Sequence, residues 1–402
     1  MLQVNNPNYD AICLLGRQPE LSIAELEQLY GAQNVHPFSN DAVRVQLPAD
    51  FDIQRIGGTT KSGRIVAEFK HTDWPAASRA IIRYYDKAWA TREGKTTLGI
   101  SVYGQDVAPR DIQRTGLALK QALKKRGQSL RLVPNDAAAL STATSHHNKL
   151  GLSDNKVELL VVYGKRSMLV AESTGAQNIS ALAARDQGRP KRDAFVGMLP
   201  PKLALMMVNL SGLPADNAMS SRSGTILDPF CGTGVVLQEA ALLGFDVYGT
   251  DLAEKMVDYS KANMQWLAQK HPIGQVQIEA GDAIEHRWKS PIDAVVAETY
   301  LGQPFSAPPA PDKLQKVVRI VSEITTKFLQ NLSAQIEPGT PLCLAVPAWR
   351  DANGNFTHLP ILHDIEELGY QWQPLEHVDV KHLAYYREDQ IVARQLLILR
   401  KI

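Results

Sequence analysis

The chain has 402 residues, a length that predicts two or three domains rather than a single core. Hydrophobic residues make up 44% and charged residues 21%, as in soluble globular proteins. No apolar run reaches the length of about 18 residues that a membrane helix needs. The net charge is only +1, but residues 61–202 carry 24 Lys and Arg against 12 Asp and Glu, which indicates either a polyanionic partner or merely a solvated basic surface.

Cysteine usage and the N-terminal residues indicate a cytoplasmic protein. The three cysteines, Cys13, Cys231 and Cys343, are odd in number and far apart, which argues against a disulfide framework or a cysteine zinc site. Residues 1–10 lack a basic start followed by an apolar stretch, so no signal peptide is expected. Beyond the adjacent pair at 146–147, no His or Cys lies at ligand spacing, so no metal is expected.

Residues 1–180 alternate between short strands and amphipathic helices. The predicted elements, in chain order, are a strand at 9–16, a helix at 19–31, strands at 42–48 and 97–104, a helix at 109–127, and strands at 129–134, 157–164 and 167–174. We expect the last two strands to pair antiparallel, and Leu117, Leu119 and Leu123 to face inward from the second helix. Residues 181–202 are rich in Arg, Lys, Pro and Gly, which predicts an irregular basic linker.

From residue 203 onward the pattern changes to apolar strands separated by amphipathic helices. The predicted elements are a strand at 224–230, a helix at 234–244, a strand at 246–251, a helix at 253–269, strands at 276–283 and 292–298, a helix near 311–333, a strand at 341–349, a helix near 358–368, and a closing pair of strands at 373–380 and 389–401. Such strands are typical of a parallel sheet covered on both faces, so we predict a doubly wound α/β domain.

The turn after the first of these strands carries the sharpest chemical signal. The strand ends at Asp228, and Gly232 and Gly234 allow the backbone to turn tightly and to approach a ligand closely. Leu237 stands where a dinucleotide fingerprint has its third glycine, and no Gly-Lys-Ser/Thr follows, so neither that fingerprint nor a P-loop fits. A carboxylate before the turn repels phosphate and suits a cationic ligand.

Two further acids follow the next strands. Asp251 ends its strand where a carboxylate can accept from both hydroxyls of a ribose, and Asp282 follows the third strand, where a carboxylate can accept from an exocyclic amine. A positively charged nucleoside without phosphate suits all three acids, which predicts S-adenosylmethionine as cofactor, with Phe230 and Cys231 of the turn as further contacts. Taken alone, each acid is more often a strand terminator or a helix cap.

Several longer stretches resemble a known family. "ILDPFCGTGVVLQEA" followed by "VYGTD" resembles the class I methyltransferases that modify exocyclic amines of bases. "RPKRDAFVGMLPPKLALMMVNLSG", "LSTATSHHNKLG" and "YDAICLLGRQPELSIAELE" resemble the tRNA guanine-N2 methyltransferases that carry a THUMP domain. The resemblance extends over nearly the whole chain.

The resemblance implies a fold, an activity and partners. It implies an α+β, ferredoxin-like N-terminal domain at 1–65, a THUMP RNA-binding domain at 66–180, the basic linker at 181–202 and a Rossmann-like α/β methyltransferase domain at 203–402. The implied activity is S-adenosylmethionine-dependent methylation of guanine N2 in tRNA, at position 10 by resemblance. We expect a monomer without a membrane or metal partner.

The fourth strand is where the sequence departs from this family. The family ends that strand with Asp-Pro-Pro-Tyr-Gly, which orients the target amine and stacks on the base, whereas residues 298–302 read Glu-Thr-Tyr-Leu-Gly. Either Glu298 reaches the same amine with Tyr300 stacking on the base, or the pocket has changed its substrate or lost catalysis. Because prolines restrict the backbone, their loss loosens the geometry. We predict Glu298 and Tyr300 as catalytic residues.

Basic residues of the first half are candidates for RNA contact, since each neutralised phosphate adds salt-dependent affinity. The predicted RNA-binding residues are Arg114, Lys124, Lys125, Arg126, Asn148, Lys149, Arg189, Lys191 and Arg192. A solvated side chain is the alternative for each of them alone.

Two other functions are compatible with the sequence. A non-catalytic RNA-binding protein with a degenerate methyltransferase domain would explain the altered fourth strand. A DNA adenine or cytosine amino-methyltransferase would share the cofactor turn, but the sequence shows no DNA-reading element.

Overall fold

The computed structural model describes residues 10–70, 73–193, 199–214, 224–289 and 291–402, without the side chain of residue 382. The chain divides into unit 1, formed by Met1–Ile23 and Tyr30–Ala181, and unit 2, formed by Ala24–Leu29 and Leu182–Ile402. Within the described ranges, no helix combines the length and the hydropathy needed to cross a lipid bilayer.

Unit 1 contains one mixed sheet of eight strands. The strands are β1 (Ala11–Leu15), β2 (Val35–Ser39), β3 (Ala42–Val45), β4 (Thr59–Lys70), β5 (Lys95–Tyr103), β6 (Ser129–Leu132), β7 (Lys156–Tyr163) and β8 (Ser167–Ala176), in the spatial order β2-β3-β1-β4-β8-β7-β5-β6. β7 and β8 pair antiparallel, as predicted, and β5 pairs parallel with both β6 and β7. The sheet is continuous through β4, and the predicted division between residues 65 and 66 lies inside this strand.

The first five helices are α1 (Pro19–Tyr30), α2 (Trp74–Ala88), α3 (Pro109–Lys125), α4 (Thr142–His147) and α5 (Ile179–Gln187). On α3, Leu119 and Leu123 are buried but Leu117 is 50% exposed, so the prediction that it faces inward was wrong. Residues two positions apart on a helix lie on nearly opposite faces, so Leu117 cannot share the face of Leu119. α5 makes the beginning of the predicted irregular linker helical, and the Asn178 side chain accepts a hydrogen bond from the Ala181 N–H at its start.

Unit 2 contains the larger sheet, in the order β11-β10-β9-β12-β13-β17-β15 with β14 on β13 and β16 on β17. Its strands are β9 (Thr225–Asp228), β10 (Asp246–Asp251), β11 (Val276–Ala280), β12 (Ala294–Glu298), β13 (Pro341–Arg350), β14 (Phe356–Thr357), β15 (Tyr370–Trp372), β16 (Ala384–Tyr385) and β17 (Val392–Lys401). Strands β9 to β13 pair parallel, as predicted, whereas β17 runs antiparallel to β13.

The described helices that follow α5 in unit 2 are α6 (Pro201–Leu210), α7 (Val235–Leu242), α8 (Glu254–Ala268) and α9 (Pro311–Ser333). α9 buries Val317, Val321, Phe328 and other residues at helical spacing against the apolar face of the sheet. Two predictions were wrong here. Residues 358–368 contain only a short 3₁₀ turn at Pro360–His363. Residues 373–380 form no strand, because the strand that pairs with β17 on the side away from β13 lies earlier, at β15.

A buried ion pair joins three strands of unit 1. The Lys61 ammonium on β4 donates to the Glu158 carboxylate on β7 at 2.5 Å and to the Leu140 carbonyl at 2.7 Å, and Ser101 on β5 donates to the same carboxylate oxygen. Lys61 is 1% and Glu158 0% exposed. Burial lowers the pKa of Lys61, while the carboxylate opposes that shift. The buried charge of Lys61 is therefore stabilised by that of Glu158, and the reverse also holds.

We predict that Lys61→Met destabilises the protein by about 3–5 kcal/mol, because it leaves the Glu158 carboxylate buried without its cation. The double variant Lys61→Met/Glu158→Leu should recover most of that loss, since both charges are removed together. Urea-induced unfolding followed by circular dichroism measures the free energy of each. Equal losses in the single and double variants would contradict this account.

Candidate active site

A cavity of about 680 Å³ lies in unit 2, at the carboxyl ends of the parallel strands. Strand ends β9, β10 and β12 supply the acids Asp228, Asp251 and Glu298, and the loop after β11 supplies Asp282. Among the described residues that line the cavity, four are acidic and none is a lysine, arginine or histidine. Such a lining suits a cationic ligand and disfavours a phosphate.

The predicted glycine turn forms one wall. Gly232 and Gly234 adopt positive φ angles of 51° and 79°, which favour glycine. The turn is held by the Cys231 N–H, which donates to the Thr250 carbonyl at 2.9 Å, and by the Gly234 N–H, which donates to the Cys231 carbonyl at 2.7 Å. A Cβ on Gly234 would lie 2.7 Å from Ser260 Oγ of α8. Gly232 lines the cavity, whereas Gly234 shapes the turn behind it.

The three predicted cofactor acids each accept local backbone hydrogen bonds. Asp251 accepts from the N–H groups of Gly232 and Ala253, both at 2.9 Å. Asp228 and Asp282 each accept at 3.1 Å from the N–H group two residues further along. These bonds orient the carboxylates and also show that strand termination explains part of their geometry.

Burial changes the protonation of two of these acids. Asp228 is 2% exposed, and burial raises the pKa of its carboxyl well above the usual value, with Asp251 and Glu298 adding to the rise. Burial also raises the pKa of Asp251, while its two backbone hydrogen bonds oppose that shift. A bound cation would therefore favour the ionised form of both.

The other two predicted cofactor contacts lie in the same wall. Phe230 lines the cavity and packs edge-on against Phe328 of α9, with ring centroids 4.9 Å apart. Cys231 also lines the cavity, and burial raises the pKa of its thiol well above the usual value, so the thiol stays protonated. It contributes shape rather than a nucleophile.

The predicted catalytic residues belong to the segment at the end of β12. Glu298 and Tyr300 both line the cavity, and the Tyr300 side chain is 46% exposed. Gly302 ends this segment with a φ of 81°, and a Cβ there would lie 2.9 Å from Val317 of α9. The loop after β12 therefore rests closely on α9.

Sequence reasoning missed a cation that contacts Glu298. Arg394, near the start of β17, donates from Nε to Glu298 Oε1, and the side chains are 7% and 14% exposed. It also missed Ile320 and Ile324 of α9, which line the cavity. The only sequence signal for Ile320 and Ile324 was that they are apolar residues outside the face that α9 buries against the sheet.

The predicted RNA-binding residues of unit 1 lie on its surface. Arg126 pairs with both carboxylate oxygens of Asp86, at 2.7 and 2.8 Å, and Arg114 pairs with Asp111 at 2.9 Å. Lys124, Lys125 and Lys149 are exposed, and the half-buried Asn148 side chain donates to the Thr144 carbonyl.

The predicted RNA-binding residues of unit 2 follow α5. Lys191 and Arg192 are exposed, and Lys191 Nζ lies 5.3 Å from the centre of the Tyr259 ring. Arg189 is only 3% exposed, and its guanidinium nitrogens make no hydrogen bond in the described part of the chain. The remaining residues of that stretch, 194–198, lie outside the described residues.

Two models of methyltransferase families match the chain, one within unit 2 and one across residues of both units. Residues 189–351 match a family model described as RMKL-like, methyltransferase domain, and residues 74–262 match a DNA methylase model. The tRNA (guanine(10)-N2)-dimethyltransferase of Methanothermobacter thermautotrophicus is 34% identical over 168 residues, which are 41% of this chain and 44% of that protein. The enzyme of the same name from Pyrococcus abyssi is 34% identical over 121 residues, or 29% and 33%. The matches thus span less than half of either relative.

Solved structures show the same fold over nearly the whole chain. TrmN from Thermus thermophilus aligns with a TM-score of 0.53 and 16% identity, covering 98% of this chain and 99% of that one. A possible methylase from Clostridium difficile 630 aligns with a TM-score of 0.51 and 13% identity, covering 97% of each chain. The chain therefore has a methyltransferase-like α/β fold.

We predict that Gly234→Ala destabilises the protein by about 2–5 kcal/mol, because it combines a left-handed backbone with a Cβ against Ser260. The matched control is Gly339→Ala, which has a φ of 88° but no atom within 4 Å of its added Cβ and should cost only about 1–2 kcal/mol. Urea unfolding of both variants gives the difference. A control as damaging as Gly234→Ala would contradict the packing argument.

Proposed function

We propose that the protein is an S-adenosylmethionine-dependent tRNA methyltransferase that modifies N2 of guanine. The observation that carries this proposal is the acidic cavity at the carboxyl ends of the parallel strands, beside a glycine turn, in the region that matches methyltransferase models. The names of the curated relatives support tRNA guanine 10 as the target and more than one methyl transfer.

The residues of the cavity fit the cofactor. Asp251 would hold the ribose hydroxyls, Asp282 the adenine amine, and Asp228 the positively charged part of the molecule, while the Gly232 backbone allows close approach. The described lining offers no basic residue for a phosphate, and S-adenosylmethionine has none. When bound, it supplies an activated methyl group on a sulfonium.

The segment at the end of β12 would hold the base. Glu298 would accept a hydrogen bond from the N2 amine, which aims the nitrogen lone pair at the methyl group, and would take the proton that the methylated amine releases. Tyr300 would stack on the base, for which its half-exposed ring at the cavity supplies a face. A nucleotide must leave its stack to reach such a cavity.

Unit 1 would bind the tRNA. This part of the proposal takes residues 66–180 as a THUMP domain after an N-terminal domain at 1–65, followed by the linker at 181–202 and the catalytic domain at 203–402. The charge excess of residues 61–202 and the exposed Lys124, Lys125 and Lys149 support it, since cations near phosphates add affinity. The protein would then act in the cytoplasm, where tRNA is modified.

One observation favours a non-catalytic alternative. Arg394 contacts one oxygen of the residue that should accept the target amine, and this ion pair occupies the acid that the catalytic role requires. The alternative predicts cofactor binding without methyl transfer.

We expect incubation with unmodified tRNA transcripts and S-adenosylmethionine to yield N2-methylated guanosine, detected by mass analysis of the nucleosides. Glu298→Gln should lower kcat about 100-fold or more with little change in cofactor affinity, because it weakens the acceptor that orients the amine. Glu323→Gln, an exposed acid on α9, is the control and should leave kcat unchanged. Cofactor binding without transfer to any RNA would establish the non-catalytic alternative, and transfer to DNA instead would establish a DNA methyltransferase.

We also predict that cofactor affinity falls as the pH is lowered. Because burial raises the pKa of Asp228, its carboxyl takes up a proton at a higher pH than a free aspartate, and the neutral form no longer attracts a cation. Calorimetric titration between about pH 5 and about pH 8 measures the dissociation constant above the usual aspartate range, where only a carboxyl with a raised pKa still changes its protonation. Asp228→Asn should bind about 10-fold more weakly at high pH and lose most of the pH dependence. Asp258→Asn, an exposed acid on α8, should behave like the wild type.

A further inference from the structure

Arg394 reaches the cavity wall through the antiparallel pairing of the last strand. β13 pairs with β12 on one side, with Glu298 opposite Ala345, and with β17 on the other, with Arg394 opposite Pro347. Because β17 runs against the parallel strands, its first residues arrive at the edge where β12 ends. The pairing therefore places a guanidinium in contact with Glu298, which lines the cavity, while Arg394 itself lies directly behind that lining.

The hydrogen bonds leave part of both side chains available. Arg394 Nε donates to Glu298 Oε1, and within the described residues neither side chain makes another hydrogen bond. Glu298 Oε2 can therefore accept, Oε1 retains capacity for a second donor, and the Nη groups of Arg394 can donate. In order from Glu298 Oε2 through Oε1 to the Nη groups of Arg394, the ion pair presents two hydrogen-bond acceptors and then a donor.

That order complements one base edge. The Watson–Crick edge of guanine presents the N2 amine, the N1–H and the O6 carbonyl, or donor, donor, acceptor. With an adenine or cytosine amine at Oε2, the neighbouring ring nitrogen would instead turn its lone pair toward Oε1, which is repulsive. A guanidinium also binds a base carbonyl strongly, because the hydrogen bond is charge-assisted.

We propose that Arg394 is a specificity-determining residue that donates to O6 of the target guanine while Glu298 accepts from N2 and N1. This inference rests on the proposed function and adds to it a residue that selects guanine over the other amine-bearing bases. In this arrangement the ion pair also holds the Glu298 carboxylate in position, on a strand end that lacks the two prolines of the family motif.

The test uses tRNA transcripts that carry either guanosine or 2-aminopurine at nucleotide 10. 2-Aminopurine keeps the exocyclic amine but lacks O6 and the N1–H, so the wild type should prefer guanosine strongly. Arg394→Gln should lower kcat/KM for guanosine about 10- to 100-fold but for 2-aminopurine less than about 3-fold, because only guanosine loses a charge-assisted hydrogen bond. Its preference for guanosine should shrink accordingly.

Two further variants separate recognition from stability. Arg394→Lys keeps a cation beside Glu298 but loses the planar fork, so it should show an intermediate preference, and it decides the question if Arg394→Gln does not fold. Arg400→Gln is the matched control, since Arg400 lies near the other end of β17 and bonds to Gln373 and the Gly339 carbonyl. Cofactor affinity and the unfolding temperature are measured for all variants.

A merely structural ion pair gives a different result. If Arg394 only ties β17 to the end of β12 across β13, both substrates lose activity by the same factor and the preference for guanosine stays unchanged, which overturns this inference alone. If the wild type does not methylate the guanosine transcript, the proposed function fails and this inference fails with it.

Discussion

The parallel pairing of β9, β10 and β12 is the constraint on which the candidate site depends. Register places Gly249 opposite Asp228 and Val295 opposite Leu227, so three strands from distant parts of the chain end at one edge. The acids that follow these strands meet there because all carboxyl ends of a parallel sheet point the same way. A slip of one residue would turn each acid to the other face of the sheet.

Bringing four carboxylates to one cavity carries an electrostatic cost that the protein meets only in part. Backbone N–H groups at Gly232 and Ala253 satisfy Asp251, and Arg394 neutralises Glu298, but no described basic side chain lies against Asp228 in the cavity. The raised pKa of Asp228 is the signature of that remaining cost. A cationic ligand would offset the electrostatic cost of the buried Asp228 carboxylate. The electrostatics of this part of the cavity therefore support the cofactor that we propose.

The sequence predicted most elements because their patterns are local. Alternating or continuous apolar runs located β5, β7, β8 and every parallel strand of unit 2 within a few residues, and the glycine turn located the cavity wall. The errors arose where a local pattern was ambiguous. Residues 358–368 have helical composition but form only a 3₁₀ turn, and the strand that pairs with β17 on the side away from β13 is the three-residue β15 rather than residues 373–380.

By itself, the sequence determined which acids follow which strands, and so which side chains gather at the edge of the parallel sheet. Only the tertiary structure decided that Glu298 has a cationic partner. Arg394 lies 96 positions further along, within an apolar strand that carries no recognisable motif. Its place beside Glu298 follows from the reversed direction of β17, and strand direction depends on how the whole sheet is assembled rather than on any local pattern.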